Sequence, residues 1–378
     1  MNVVISIDSF KGSLTTNEAA NAAANGIKRV YKNASIQITP IADGGEGTSQ
    51  TLTAFKGGKI QNVTVLNPVG KKITAEYGIS DSTGIIEMAS AAGIALIDET
   101  DRNPLHTTTY GVGMMISDAI KKGCRNFIIG IGGSATNDCG VGMLQALGFE
   151  FLDTSGNQVP YGAKGLKLIH QIKTDKVNPY LKDCRFTIAC DVKNPLCGEN
   201  GCSNIYGPQK GATPEMITMM DEWMKNFADL TNKFNPKSSA ETEGAGAAGG
   251  MGFAFLSYLN ATLEPGIEMM IRETNLEEHI KKADIVITGE GRLDGQTSMG
   301  KVPTGIANVA KKYNKPVIAL SGCITDDAKS CNNFGIDAFF PIIKAPCSLS
   351  DAMNKDNAVK NLSDTTEQIF RLIKTFKL

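Results

Sequence analysis

The chain reads as an α/β protein, a discontinuous flavodoxin-like parallel-sheet domain with a large inserted second α/β domain. Three observations predict this. The opening alternates strand and helix, a set of turn-separated strands breaks that alternation near residue 59, and it resumes after residue 285. At 378 residues the chain also exceeds the about 250–300 residues at which single hydrophobic cores stop growing.

Each element has a local reason. Val3-Val4-Ile5-Ser6-Ile7 is a short apolar run of the kind that forms a buried strand. Thr15-Thr16-Asn17-Glu18 has the S/T-x-x-E form of a capping box, and Ala20, Ala23, Ile27 and Val30 supply an apolar stripe to the helix it opens. Residues 36–41 read as a second strand and 46–55 as a second helix. From 59 to 87, Asn67-Pro68-Val69-Gly70 and Asp81-Ser82-Thr83-Gly84 are turn signals between antiparallel strands. The parallel pattern returns with Ile285-Val286-Ile287, a helix opened by Pro303, the strand Val317-Ile318-Ala319-Leu320, a further helix and Ala338-Phe339-Phe340. Ile369, Phe370, Ile373 and Phe376 give the last helix an apolar face. The two ends are expected to share one sheet, so residues 1–58 plus 270–378 form one domain and 59–269 the insertion. The active site is expected in the cleft between them.

Composition narrows the function. Hydrophobic residues are 42% and charged residues 20%, as in an ordinary globular protein, and a formal net charge of -1 offers no bulk attraction for nucleic acid or an anionic membrane. A small-molecule substrate is expected, with any anion held by a few local donors; a homo-oligomer is left open. Nine cysteines are an odd number, their spacings lack the two-residue gap of a zinc knuckle, and three histidines accompany them, so reduced thiols are expected. The first residues carry no basic region and no apolar stretch of spanning length, which predicts a cytoplasmic protein.

Glycines cluster where strands end: Asp43-Gly44-Gly45-Glu46-Gly47, Gly130-Ile131-Gly132-Gly133-Ser134, residues 244–250, and Gly289-Glu290-Gly291. Backbone amides at such places can approach an anion without a Cβ in the way, and several of these loops lead into helices, whose N-termini favour anions. Any one of them alone equally reads as a tight turn or close packing. Asp8, Asp43, Glu46, Asp191, Glu290 and Asp294 fall at or just past the C-terminal ends of predicted strands, the edge that holds ligands in open α/β sheets. Oxygen donors there suit magnesium shared with phosphates, although a strand-end acid can also cap the next helix. Lys11 follows Asp8-Ser9-Phe10 as a cation able to meet the anion those acids would repel. Gly295-Gln296-Thr297-Ser298-Met299-Gly300-Lys301 fits G-x-x-x-x-G-K, but Val302 stands where a P-loop has its magnesium-binding hydroxyl, and residues 289–294 separate it from the strand ending at Ile287. Lys301 is left as either a phosphate contact or a solvated lysine at a helix start.

Taken together and in order, the motifs resemble those of type I glycerate kinases over nearly the whole chain. They are Asp8-Ser9-Phe10-Lys11-Gly12-Ser13, Ala42-Asp43-Gly44-Gly45-Glu46-Gly47-Thr48, Ile131-Gly132-Gly133-Ser134-Ala135-Thr136-Asn137-Asp138, Ala189-Cys190-Asp191-Val192, Gly207-Pro208-Gln209-Lys210-Gly211-Ala212, residues 244–250, Ile287-Thr288-Gly289-Glu290-Gly291-Arg292-Leu293-Asp294 and Gly300-Lys301-Val302-Pro303. Met114 and Cys139 depart from the pattern, where an acid and a glycine are common. The resemblance implies ATP, Mg2+ and D-glycerate, with 2-phosphoglycerate as product and 3-phosphoglycerate as the other outcome. Under it, Lys11 and Asp191 are the catalytic candidates, for phosphate contact and for the base at the acceptor hydroxyl. Asp43 and Glu46 are the candidates for magnesium. Asp8, Gly289, Glu290, Asp294 and Lys301 are placed at the nucleotide. The substrate carboxylate falls to Ser134, Thr136 and the amides of Gly132 and Gly133, or to the planar fork of Arg292, which can instead bind ATP or pair with Asp294. A nucleotide-dependent dehydrogenase is excluded because Ser6-Ile7-Asp8-Ser9-Phe10-Lys11 is no G-x-G-x-x-G. A non-catalytic sugar-acid sensor on the same scaffold is the remaining alternative.

Overall fold

The strands are, in chain order, β1 (Asn2–Ile7), β2 (Ser35–Ile38), β3 (Lys59–Leu66), β4 (Lys72–Ser80), β5 (Thr83–Glu87), β6 (Asn126–Gly130), β7 (Glu150–Leu152), β8 (Gln171–Lys173), β9 (Arg185–Ala189), β10 (Thr262–Glu264), β11 (Ile285–Leu293), β12 (Val317–Ile324) and β13 (Ala338–Pro341). This computed structural model describes residues 1–42, 45, 47–297 and 301–376. They divide into two units, Met1–Asp43 with Ile267–Leu378, and Gly44–Gly266.

In the first unit the sheet order is β2-β1-β11-β12-β13, with every pairing parallel. Counted within the unit this is 2-1-3-4-5, the flavodoxin-like doubly wound order. Val3, Ile5, Ile7, Ile285, Ile287, Ile318 and Leu320 form its buried centre. The expected capping box is present: Thr15 Oγ1 accepts from Glu18 N at 3.3 Å and Glu18 Oε2 accepts from Thr15 N at 3.0 Å. Helix Thr16–Val30 packs on helix Lys355–Thr375, and Gly26 allows this, since a Cβ there would stand 2.3 Å from Ser363 O. Ile369 and Phe370 are buried as the apolar face requires, but Phe376 lies past the helix end and is 68% exposed.

The second unit is built on the mixed sheet β3-β4-β5-β6-β9-β10, antiparallel from β3 to β5 and parallel beyond, with β7 and β8 as a separate antiparallel pair. The first predicted turn closes through Asn67 Oδ1, which accepts from Val69 N and Lys71 N. Phe127 stacks on Phe186, and Phe151, Phe227, Phe253 and Tyr258 interlock in the core.

Two elements differ from the sequence reading. Helix Thr48–Phe55 belongs to the second unit: Glu87 accepts from Gly47 N and Ser49 N at its start, Ser80 Oγ donates to Lys56 O at its end, and Gly78 leaves room for Thr53. The division therefore falls at 43/44 and 266/267 rather than 58/59 and 269/270. Apolar periodicity identifies a helix but not the sheet it will cover. Strand β11 also runs on to Leu293 instead of stopping at Ile287, because Gly289 takes Leu320 O into the space of its missing Cβ and the ladder to β12 continues to Ile324.

Candidate active site

In the first unit the ends of β1 and β11 bring most of the predicted nucleotide residues together. Asp8 is buried just past β1; its amide donates to Gly289 O at 2.9 Å and its Oδ1 accepts from Ser9 N at 2.7 Å. Reciprocal backbone bonds of 2.9 Å between Phe10 and Leu14, both buried, hold Lys11 on an exposed turn. Gly291 eases the close approach of this turn, since a Cβ there would sit 3.3 Å from Phe10 Cα.

Glu290 is 9% exposed and accepts from Thr297 Oγ1 at 2.5 Å. Burial raises its carboxyl above the usual range; the Thr297 bond and then Lys301 oppose this, Asp294 adds to it, and Lys11 opposes it again. Glu290 thus lies within the electrostatic reach of Asp294, Lys11 and Lys301. Asp294 Oδ1 accepts from Gln296 N at 3.0 Å, and its Oδ2 lies 3.5 Å from Arg292 Nε. Arg292 is exposed, and the pairing left open in the sequence is the one observed. Lys301 is the N-cap of helix Val302–Lys312 and gives it no side-chain cap. Val302 is buried, so it faces packing. With β11 reaching Leu293, the G-x-x-x-x-G-K segment begins two residues after its strand, and Val302 still stands where a P-loop has its hydroxyl. Ser298, Met299 and Gly300 lie outside the described residues, as do Asp43 and Glu46.

In the second unit the parallel strands β6 and β9 end side by side, with Gly130 opposite Ala189. After β6, Gly132 and Gly133 are exposed, Gly133 has φ 73°, and Ser134 is half-buried. A Cβ on Gly132 would stand 3.7 Å from Gly45 Cα, so Gly45 lies close to the loop after β6. Thr136, in contrast, is fully buried, and its Oγ1 has no partner among the described residues. After β9, Asp191 is exposed and its Oδ1 accepts from Gly266 N at 2.8 Å, at the start of helix Gly266–Glu273.

The glycines of residues 244–250 have a packing reason. A Cβ on Gly246 would reach 2.2 Å from Pro195 O and one on Gly249, at φ 69°, 2.1 Å from Thr136 O. They let helix Ala247–Tyr258 kink onto the loop after β6, where Gly249 O accepts from Cys139 N. Cys139 itself has φ 52°, which explains why glycine suits that position. Met114 packs half-buried against the core.

Two residues without an assigned role in the sequence reading gain one from the structure. Lys210, in a short 3-10 turn (Pro208–Lys210), is 2% exposed, and its ammonium donates to Ser134 Oγ at 2.8 Å and Thr136 O at 2.6 Å. Burial pulls it down from 10.5 to about 8, against the attraction of Cys202 and Asp138. In sequence it lies within the motif Gly207-Pro208-Gln209-Lys210-Gly211-Ala212 that carries part of the resemblance, but nothing local gives it a role distinct from that of a solvated lysine. Glu87, whose carboxylate receives the amides of Gly47 and Ser49, ends β5. The strand-end criterion that singled out six other acids applies to it equally.

The glycerate kinase family model matches residues 3–374. The chain belongs to that family. It is 45% identical to a glycerate kinase of Haemophilus influenzae over 375 residues, covering 99% of each chain, and 45% identical to a glycerate 2-kinase of Escherichia coli, covering 93% of each. A crystal structure of a putative glycerate kinase 2 from Salmonella typhimurium LT2 superposes with a TM-score of 0.92 at 41% identity, covering 100% of this chain and 99% of that one. The protein is therefore a kinase, which sets aside the sensor alternative, and no helix among the described residues is long and apolar enough to cross a membrane.

Proposed function

We propose that the protein transfers the γ-phosphoryl group of ATP to D-glycerate and releases 2-phosphoglycerate, in the cytoplasm. Membership of the glycerate kinase family over residues 3–374 carries the reading, and the Escherichia coli relative, a glycerate 2-kinase, favours the 2-position. Phosphoryl transfer is mostly positioning and charge stabilisation. In the first unit, Lys11 contacts the phosphates, while Asp8, Gly289, Glu290, Asp294 and Lys301 form the nucleotide edge. In the second, Ser134 and the amides of Gly132 and Gly133 hold the substrate carboxylate, with Thr136 supporting the loop from within and Arg292 as the alternative clamp. Asp191 takes the proton of the acceptor hydroxyl.

Magnesium fits the chemistry of this donor set. Magnesium prefers oxygen donors and is usually shared with phosphates, so the ion would be held by one or two carboxylates, Asp43 and Glu46 first, together with phosphate oxygens. When bound, it neutralises charge on the phosphates.

Phosphorus NMR of a reaction containing D-glycerate, ATP and magnesium tests the whole reading. A 2-phosphoglycerate signal is expected, with ADP formed only when both D-glycerate and magnesium are present. A 3-phosphoglycerate signal would overturn the regiochemistry. Turnover without glycerate, or full activity in excess EDTA, would overturn the function.

A further inference from the structure

We propose that Lys210 is a positioning residue for anion recognition, its buried ammonium making the Ser134 hydroxyl an outward-directed donor for the substrate carboxylate. This rests on the function proposed above. An ammonium has three N–H donors and no acceptor. Two of them go to Ser134 Oγ at 2.8 Å and Thr136 O at 2.6 Å. Ser134 Oγ therefore acts as acceptor on its Lys210 side, and its own hydrogen must point elsewhere. Ser134 is half-buried on the loop that exposes Gly132 and Gly133, so the remaining direction is the face those glycines open.

The surroundings hold this arrangement in place. Gly211, at φ 89°, fits against Arg102 O and fixes the turn that carries Lys210, and Gly249 leaves room for the Thr136 carbonyl that Lys210 binds. Asp138 is the nearby opposite charge, but its carboxylate accepts from Thr109 N, Thr109 Oγ1, Gly140 N and Gly142 N. A methionine would fill the same volume without the desolvation cost of a buried charge. The charge directly behind Ser134 is what such a substitution would lose, and a hydroxyl polarised by an ammonium is a stronger donor to a carboxylate.

The test is a double-mutant cycle on the full-length enzyme, with Ser134→Ala, Lys210→Met and the double variant assayed for kcat and KM with D-glycerate, and for Kd of D-glycerate and its uncharged amide. Lys210→Met is expected to raise KM and Kd for D-glycerate by about 10-fold to 100-fold with a much smaller change in kcat, and to reduce the preference for the acid over the amide. In the Ser134→Ala background it should add little. Additive effects, or an unchanged acid-to-amide preference, would overturn the inference. Should Lys210→Met fail to fold, Ser134→Ala decides alone, since it keeps the lysine and its bond to Thr136 O: an unchanged KM overturns the inference. A wild type that turns over no D-glycerate overturns the proposed function instead, so the two failures are distinguishable.

Discussion

Asparagine at position 191 keeps an oxygen for the Gly266 amide that Asp191 now accepts at 2.8 Å, but it cannot take a proton. Asp191→Asn is therefore expected to lower kcat by about 100-fold to 10,000-fold, the usual range for a general base, while the melting temperature and glycerate affinity stay near wild type. A near-normal kcat would remove Asp191 from the mechanism and transfer the role to Asp294; a lowered melting temperature that accounts for the lost activity would leave it only a helix-start role. Lys210 makes a second prediction at this scale. Its folded value of about 8 lies below the 10.5 of the free side chain, mainly because burial disfavours the charge. Between those values the unfolded chain holds the proton and the native one does not, so stability rises with pH across that window and is lowest below it. Urea unfolding of wild type and Lys210→Met from pH 7 to 10.5 should show the wild type gaining on the variant by about 3 kcal/mol. Parallel curves would mean that Lys210 does not titrate differently in the two states.

At the scale of elements, helix Val302–Lys312 starts with a buried valine where a P-loop places a hydroxyl. Val302→Thr buries that hydroxyl among apolar groups, which destabilises by about 1–3 kcal/mol. It should leave the KM for ATP unchanged, whereas Lys301→Ala should raise it modestly. A threonine variant that binds Mg-ATP tenfold tighter, about 1.4 kcal/mol, would show that Val302 faces the nucleotide. The kink of helix Ala247–Tyr258 is more sensitive. Gly249→Ala would place a Cβ 2.1 Å from Thr136 O at a φ of 69°, so the helix must withdraw from the loop after β6. A marked fall in melting temperature is expected, with glycerate KM rising as the loop loses its support. An unchanged melting temperature would show that the kink relaxes freely.

For the whole molecule, all nine cysteines are free thiols, and Cys139 and Cys197 are pushed further toward the protonated form by burial. The melting temperature should be the same with and without reductant under anaerobic conditions; a drop on reduction would reveal a disulfide. The second unit is one continuous stretch, Gly44–Gly266, with its own six-stranded sheet and aromatic core. Expressed alone, it is expected to unfold cooperatively in urea. A broad, non-cooperative transition would mean that it needs the rest of the chain.

The sequence by itself determined those features whose causes are local. The capping box at Thr15 and Glu18, the turn at Asn67 and the parallel strands at both ends rest on short-range hydrogen bonding and on apolar runs that a strand must bury. Their recurrence at the two ends was enough to predict one shared sheet with an insertion. Ordered motifs along the chain also pointed to the family, since each demands particular residues at fixed spacing. Only the tertiary structure decided which sheet helix Thr48–Phe55 covers, because an amphipathic face does not name its partner. Likewise the glycines at 246 and 249 and the interior ones of β11 answer to backbones far away in sequence, and nothing local separates a packing glycine from one that cradles an anion. Lys210 is the clearest case: its role depends on 2% exposure and on two oxygens more than seventy residues away, and a charge becomes informative only once the fold has taken water away from it.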